Sequence, residues 1–548
     1  MAERHLAATY NTPEFKIFDN YTYVICGDGC LQEGVSAEAS SLAGHLGLGK
    51  LIVLYDDNNI TIDGSTDLSF TEDVQKRYEA YGWHVQEVAD VSTQLDDLRA
   101  AIENAKGVTD KPSIIACKTV IGYGAPNKQN THGVHGAPLG ANEMKLTKEF
   151  YGLPEEKFFV PEEVKAVFTK ATEKNESILS EWQATMEKYQ AAHPEKAQEI
   201  QRRFKGELPE GWEKDLPTFT IGTDKDVATR KMSEQCITAI HPLVPEMVGG
   251  SADLTPSNLT MPKGGSLDFQ KGSPEGRYIR FGIREHAMGA ICNGMFAYGG
   301  MRPYCGTFLT FFGYMAGAVR LSALSKFGII YVFTHDSIGL GEDGPTHQPI
   351  ETLENMRSMP NINVFRPADS NEMVAAYKSG MMTRETPTAI CCSRSTVKAL
   401  YGSSVEKGLK GAYVAVDAEN PSLILIGTGS EVEFCVDAAK LLTESGTPTR
   451  VVSMPCQELF LQQSIEYQKS VLPGDIPTLS VEAAAVHGWH RFSHAQVGMT
   501  SFGTSAPGKA CYKKFGFTPE DIKNKGQQLV EHYQVNGPVP NISNRPVF

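Results

Sequence analysis

A chain of 548 residues with 51 basic and 65 acidic side chains carries a formal charge of −14, so it offers no general cationic surface for nucleic acid or an anionic membrane. At 41% hydrophobic and 21% charged residues it has the composition of a globular protein long enough for three or four domains, which excludes widespread disorder. Eleven cysteines, with Cys391 and Cys392 adjacent, read as reduced intracellular thiols rather than a disulfide framework, and no apolar stretch reaches the roughly 20 residues of a membrane span.

The chain opens on Glu3-Arg4-His5-Leu6-Ala7-Ala8, which reads as the middle or end of a helix, without the apolar run of a signal peptide. Residues 23–26 form an apolar run of strand length that stops at Gly27-Asp28-Gly29. Asp28 therefore falls at the carboxyl end of a strand, where open α/β sheets place ligands, and the glycines let the backbone approach a phosphate. Residues 35–48 are helix-compatible, Gly49 is the expected stop, and 51–55 return as a second buried strand ending in Asp56-Asp57-Asn58-Asn59. Each polar pair alone is ordinary turn chemistry. Together they put oxygen donors at two strand ends, which suits a hard cation completed by phosphate and water, and the pattern suggests a diphosphate held through a metal at Asp28 and Asn58. Cys26 and Cys30 lack the second ligand pair that zinc requires.

Strands are expected at 83–88 and 113–120 with a helix at 94–106 between them, the grammar of a parallel sheet. Residues 161–204 turn to Glu, Lys, Ala and Gln with helical periodicity, and Pro209, Gly211 and Pro217 then mark a boundary. A second alternating unit has candidate strands at 247–253, 278–282, 302–308, 328–335, 362–365 and 388–393, and a third has them at 423–427, 449–453 and 478–481 with a helix at 432–445. The expectation is an α/β protein of three domains, 1–210, 220–396 and 410–548, each a mostly parallel sheet with flanking helices.

Glu285, in Gly282-Ile283-Arg284-Glu285-His286-Ala287, follows a strand and faces a cleft; alone it would be a helix cap or a solvated charge. Phe308, Phe311 and Tyr314 recur at helical offsets of three and are enough to line one wall of a pocket for a flat heterocycle, although such a stripe is commonly plain core. Gly339-Leu340-Gly341-Glu342-Asp343-Gly344 spells the dinucleotide fingerprint, but Glu342 and Asp343 would repel a pyrophosphate, and Pro345 with Pro349 spoils the helix that should open there.

Gly27-Asp28-Gly29 followed about thirty residues later by Asn58-Asn59 resembles the thiamine diphosphate signature, and Cys30-Leu31-Gln32-Glu33-Gly34, the Arg-Glu-His-Ala run and the Gly-Glu-Asp-Gly-Pro-Thr-His run are similar to transketolases in particular. The likeness extends over essentially the whole chain, including Gly427-Thr428-Gly429-Ser430-Glu431-Val432. It implies a thiamine diphosphate-binding fold twice plus a C-terminal α/β domain. The expected activity is reversible transfer of a two-carbon ketol group from a ketose phosphate such as xylulose 5-phosphate to an aldose phosphate such as ribose 5-phosphate or erythrose 4-phosphate.

By that resemblance Asp28, Asn58 and the carbonyl of Ile60 hold Mg²⁺, or Ca²⁺ or another divalent ion, while Gly29, Glu33, Asp253, Glu285, Phe308, Phe311 and Tyr314 bind thiamine diphosphate. Glu285 contacts the aminopyrimidine ring, best when partly desolvated so that it can share a proton with a ring nitrogen. Arg230, Ser257, His335, Asp343 and Arg394 are implied to bind the sugar phosphate, with His135 near the reacting carbons and His347 assisting proton transfer. Two arginines with Ser257 and His335 would give an acidic protein a local phosphate site.

The resemblance further implies a homodimer with cofactor sites at the subunit interface, and a cytoplasmic or plastid-stromal location. Elements preceding this sequence in the family are expected to be missing, which would expose a sheet edge and impair the chain as written. A non-catalytic paralogue that pairs with a longer transketolase is the second expectation. Deoxyxylulose-phosphate synthase shares the broad layout, but the Arg-Glu-His-Ala and Gly-Glu-Asp-Gly-Pro-Thr-His runs resemble transketolases, and dihydroxyacetone synthase is a remote alternative.

Overall fold

The computed structural model describes residues 1–219, 226–400 and 402–544. The expected start of the second domain at 220 and the last four residues of the third lie outside the described residues. The chain divides into two compact units, Met1–Gln201 with Phe269–Gly276, and Arg202–Asp268 with Arg277–Phe548.

The first unit holds a parallel sheet of β1 (Thr22–Gly27), β2 (Leu51–Asp57), β3 (His84–Val88) and β4 (Ser113–Lys118) in the order β1-β2-β4-β3. Ile52, Val88, Ile115 and Cys117 on the sheet pack against Ala101 and Ala105 of the helix Leu95–Gly107. Among the described residues β1 pairs only with β2, and its Tyr23, Val24 and Ile25 are exposed, Ile25 by 78%. The helix Gly34–Leu46 stops at Gly47 rather than at the expected Gly49. Gly47 takes φ +60 and returns its N–H to the carbonyls of Ala43 and Gly44, a left-handed cap that glycine reaches without Cβ strain. Gly49 serves close packing, since a Cβ there would lie 2.1 Å from the Thr109 carbonyl oxygen.

Among the described residues the second unit carries two large sheets and one two-stranded ladder. One is parallel throughout, built from β5 (Met247–Ser251), β6 (Tyr278–Arg280), β7 (Arg302–Phe308), β8 (Ile330–Thr334), β9 (Asn363–Phe365) and β10 (Thr388–Cys392) in the order β9-β10-β8-β7-β5-β6. Its strands β7, β8 and β10 are buried on both faces, the expected consequence of crossover helices on each side. The other consists of β11 (Tyr413–Val416), β12 (Leu423–Gly427), β13 (Thr449–Ser453), β14 (Thr478–Ala485) and β15 (Ala495–Met499), ordered β11-β13-β12-β14-β15 with β11 antiparallel to β13. The sequence did not announce β11 or β15. Each is short, and Ala495-Gln496-Val497-Gly498-Met499 has too little β-branched character to stand out.

Candidate active site

All six parallel strands of the second sheet deliver a polar or aromatic residue of interest at or just beyond their carboxyl ends. β5 leads to Asp253, β6 to Glu285, β7 ends at Phe308, β8 leads to His335, β9 to Arg366 and β10 to Arg394. Five of these were singled out from the sequence, and Arg366 was not. The literal fingerprint at 339–344 opens no helix; a 3-10 turn occupies Ile338–Leu340 and the next helix is Thr352–Arg357.

The aromatic stripe is not helical as expected. Phe308 closes β7, Phe311 ends the 3-10 turn Leu309–Phe311, and only Tyr314 lies on the helix Phe312–Leu324. The rings still follow one another, with centroids 5.7 Å apart for Phe308 and Phe311 and 5.9 Å for Phe311 and Tyr314, because the tight turn keeps an offset of three on one side. Phe308 is buried and Tyr314 is 68% exposed. His347 meets Phe311 edge-on at 5.5 Å, and the Thr346 hydroxyl lies 2.9 Å from its Nδ1.

His335 is buried at φ +62, its ring stacked on Phe308 at 3.8 Å. The Thr334 hydroxyl donates to Asn258 Oδ1 at 2.7 Å, so at 2.9 Å from His335 Nδ1 its oxygen is left to accept, which fixes the Nδ1–H tautomer and leaves Nε2 with its lone pair. Burial pushes the His335 pKa down to about 3, and Arg230, Arg394 and His347 add to the shift. The ring is neutral and surrounded by positive charge.

A two-residue antiparallel ladder between Val227–Ala228 and Thr396–Val397 draws the two arginines together. The Ser393 amide donates to Thr229 Oγ1 at 2.6 Å, and the Arg230 amide to the Ser393 carbonyl at 3.4 Å. Arg230 Nη1 donates to the Ser257 carbonyl at 2.6 Å and Arg394 Nη1 to the Leu340 carbonyl at 2.8 Å. Burial and then Arg394 lower the Arg230 pKa, and its buried Nε has no hydrogen-bond partner. Arg230, Ser257, His335, His347, Phe308, Phe311 and Arg394 are thus one neighbourhood. Asp253, at φ +59, and Asp343 are exposed, with no hydrogen bond to the others among the described residues. Glu285 is buried and is the first residue of the helix Glu285–Tyr298, where the helix dipole favours a carboxylate.

In the first unit β1 ends at Gly27, which pairs with Asp56 of β2, and Asp28 opens the short helix Asp28–Gln32. Asp28 is buried; its Oδ1 accepts a hydrogen bond from the Tyr55 hydroxyl, while its Oδ2 is buried without a hydrogen-bond partner. Burial raises the Asp28 pKa, opposed by the Tyr55 hydrogen bond and the Asn59 backbone, with Asp57 adding to the rise. Asn58 Oδ1 accepts from the Ile60 amide at 3.0 Å. An unpaired buried carboxylate oxygen at the end of β1, with an asparagine amide oxygen at the end of the neighbouring β2, is a donor set that fits a hard divalent cation. Gly29 and Glu33 are exposed around that turn, with open space where a Gly29 Cβ would stand. His135 is exposed after the 3-10 turn His132–Val134. Sequence reasoning missed Tyr55, Thr334 and Asn258, whose roles come from contacts across strands and loops.

Parallel α/β sheets with a phosphate-compatible turn on the first and a basic, aromatic carboxyl edge on the second define an α/β class of protein suited to phosphate-bearing ligands. Matching family models describe residues 1–209 as a transketolase thiamine diphosphate binding domain, 225–399 as a transketolase pyrimidine binding domain and 411–518 as a transketolase-like C-terminal domain. The chain belongs to the transketolase family. It is 52% identical over 541 residues to the transketolase of Scheffersomyces stipitis, covering 97% of this chain and 80% of that protein. It is 51% identical over 530 residues to the chloroplastic transketolase-1 of Arabidopsis thaliana, covering 95% and 71%. A crystal structure of the Pichia stipitis transketolase in complex with sedoheptulose 7-phosphate superimposes with a TM-score of 0.96 at 50% identity, covering 100% of this chain and 81% of that one. The Campylobacter jejuni transketolase gives 0.88 at 37% identity, covering 96% and 80%. Among the described residues no helix is long and apolar enough to cross a membrane.

Proposed function

We propose that this protein catalyses reversible transfer of a two-carbon ketol group from a ketose phosphate such as xylulose 5-phosphate to an aldose phosphate such as ribose 5-phosphate or erythrose 4-phosphate, the reaction used in the pentose phosphate and Calvin cycles. The observation that carries the reading is the pair Arg230 and Arg394 beside His335 in a chain of net charge −14: a local anion site on an acidic protein, next to aromatic rings at a sheet's carboxyl edge.

When bound, thiamine diphosphate supplies the carbanion chemistry that lets the carbon–carbon bond break and form. The residues of the chain have the remaining tasks. Asp28, Asn58 and the Ile60 carbonyl would hold Mg²⁺, and Gly29 and Glu33 would help bind the diphosphate. Glu285 and Asp253 would orient the cofactor rings, and Phe308, Phe311 and Tyr314 would supply an aromatic wall for a flat heterocycle. Arg230, Arg394 and Ser257 grip the sugar phosphate, with His335 as a neutral hydrogen-bond partner. Asp343 accepts from substrate hydroxyls, and His347 and His135 hold or move the proton at the reacting oxygen. The functional assembly is a homodimer with the cofactor sites at the subunit interface, in the cytoplasm or the plastid stroma.

The test supplies xylulose 5-phosphate and ribose 5-phosphate to the purified chain with thiamine diphosphate and Mg²⁺. Sedoheptulose 7-phosphate and glyceraldehyde 3-phosphate should appear together. A folded, cofactor-bound protein that forms neither product, or that prefers formaldehyde as acceptor, overturns the reading.

A further inference from the structure

Arg366, at the carboxyl end of β9, is fully buried, and its charge is spread over residues of both sheets of the second unit. Its Nε donates to the Asp336 carboxylate at 2.8 Å, and its Nη1 donates to the Thr428 carbonyl at 3.0 Å and to Glu431. Glu482 lies 3.7 Å away and is held by Arg357 through two hydrogen bonds of 2.7 and 2.9 Å. Asp336 belongs to the loop that starts at His335. Thr428, Glu431 and Glu482 belong to the C-terminal sheet and the helix that follows β12.

Tyr512 makes a second, independent tie. Its hydroxyl lies 3.0 Å from Ser337 Oγ, 3.0 Å from Glu431 Oε1 and 3.1 Å from Ser430 Oγ. A Cβ on Gly339 would stand 2.7 Å from that hydroxyl, so the loop is seated directly on the tyrosine. Further along, Gln348 Nε2 donates to the Thr504 carbonyl at 3.0 Å, and Ser505 Oγ donates to the Glu342 carbonyl at 2.6 Å, next to Asp343. Each end and the middle of the loop is fastened to the C-terminal domain. Among the described residues none of the fastening side chains has a hydrogen bond or ring contact with Arg230, His335, His347, Phe308, Phe311 or Arg394, so plain substrate binding does not account for them.

We propose that Arg366, Glu431, Tyr512 and Ser505 are positioning residues, and that the C-terminal domain acts as a template that holds His335, Asp343 and His347 in register for the sugar phosphate. The inference rests on the reading of residues 335–347 as the substrate loop. A hydrogen-bond network of buried charges suits this task, because its geometry is discrete and a lost member leaves the others unsatisfied. A purely apolar contact would hold the two domains together without fixing where the loop's imidazoles and carboxylate point.

The experiment uses Tyr512→Phe and Ser505→Ala, which keep the packing and remove one hydroxyl each; Arg366 is avoided because its replacement threatens folding. Two readouts are taken on the full chain: kcat and KM for xylulose 5-phosphate, and hydrogen–deuterium exchange of the peptide spanning 335–348. The expected result is a KM raised by about fivefold or more, a lower kcat through the displaced His347, thiamine diphosphate affinity and melting temperature unchanged, and exchange in 335–348 faster. Unchanged KM and exchange overturn the proposal, as does a parallel fall of kcat, cofactor affinity and thermal stability, which marks a general structural role. A wild-type chain without ketol transfer would overturn the proposed function instead, and the exchange result alone would then decide whether the C-terminal domain holds the loop.

Discussion

The imidazole of His335 lies on the ring of Phe308 with centroids 3.8 Å apart and planes 29° from parallel, while its Nδ1 is committed to Thr334. Burial and the flanking Arg230 and Arg394 keep it neutral with a pKa of about 3. Selectively labelled histidine followed by NMR should show His335 as the neutral Nδ1–H tautomer from pH 5 to 8. A phosphate ester offsets the arginines, so adding ribose 5-phosphate should raise the pKa and cause proton uptake in the acid range. A cationic ring at pH 6 without ligand would contradict the assignment.

The two arginines should act chiefly on substrate binding. Arg230→Ala or Arg394→Ala removes charge-assisted hydrogen bonds to phosphate worth about 1.5–3 kcal/mol. KM for phosphorylated sugars should rise by roughly 10–100-fold, with a smaller change in kcat and none for an unphosphorylated acceptor. Lysine at either position should restore only part of the affinity, since it lacks the paired geometry. Equal losses for phosphorylated and free sugars would remove both residues from phosphate recognition.

How much of this was legible in the sequence follows from the range of the interactions. The Asp28 and Asn58 turns were visible because each closes a local strand of six or seven residues, and the strand-end position of His335 followed from the five-residue apolar run of β8, whereas the strand before Glu285 is only Tyr278–Arg280. The stop at Gly47 was misread as Gly49 because either glycine can end a helix, and only the approach of Thr109 shows what Gly49 is for. The Phe308-Phe311-Tyr314 spacing was read as helical because an offset of three fits both a helix and a strand running into a 3-10 turn. Arg366 left no signal. Its partners Asp336 and Glu431 are 30 and 65 residues away, and a lone arginine after a strand looks like a solvated charge.

Asp28 carries the metal prediction. Asp28→Asn removes the charge of the unpaired Oδ2, and calorimetry should show Mg²⁺-dependent thiamine diphosphate binding weakened by about 100-fold. Tyr55→Phe deletes the hydrogen bond that restrains the carboxyl's raised pKa, so the onset of cofactor binding should move to higher pH with little change at pH 8. Unaltered binding in both variants would place the metal elsewhere.

The β1 edge predicts a solution property. Ile25 is 78% exposed on a strand paired along one side among the described residues, a surface that invites edge-to-edge association. Ile25→Lys should reduce light scattering of the concentrated protein and leave the melting temperature within a degree or two. Unchanged scattering would show that the edge does not drive self-association.

His241 tests acid stability away from the site. It is buried at the end of the helix Thr229–Ile240, and Arg277 Nη2 donates to its Nδ1 at 2.9 Å, so the neutral ring is the form that fits. Burial, then Arg277, lower its pKa to about 4. An unfolded histidine binds its proton near pH 6.5, so between about pH 4 and 6.5 the unfolded chain holds the extra proton and stability rises with pH. His241 should contribute up to about 1.4 kcal/mol per pH unit to that slope, a contribution absent above pH 6.5. His241→Asn keeps an acceptor for Arg277 but cannot titrate; its denaturant midpoint should fall less steeply on acidification from pH 6.5 to 4, while the two proteins keep a constant offset at pH 8. Parallel curves across the acid range would mean that His241 has the same pKa in the folded and the unfolded chain.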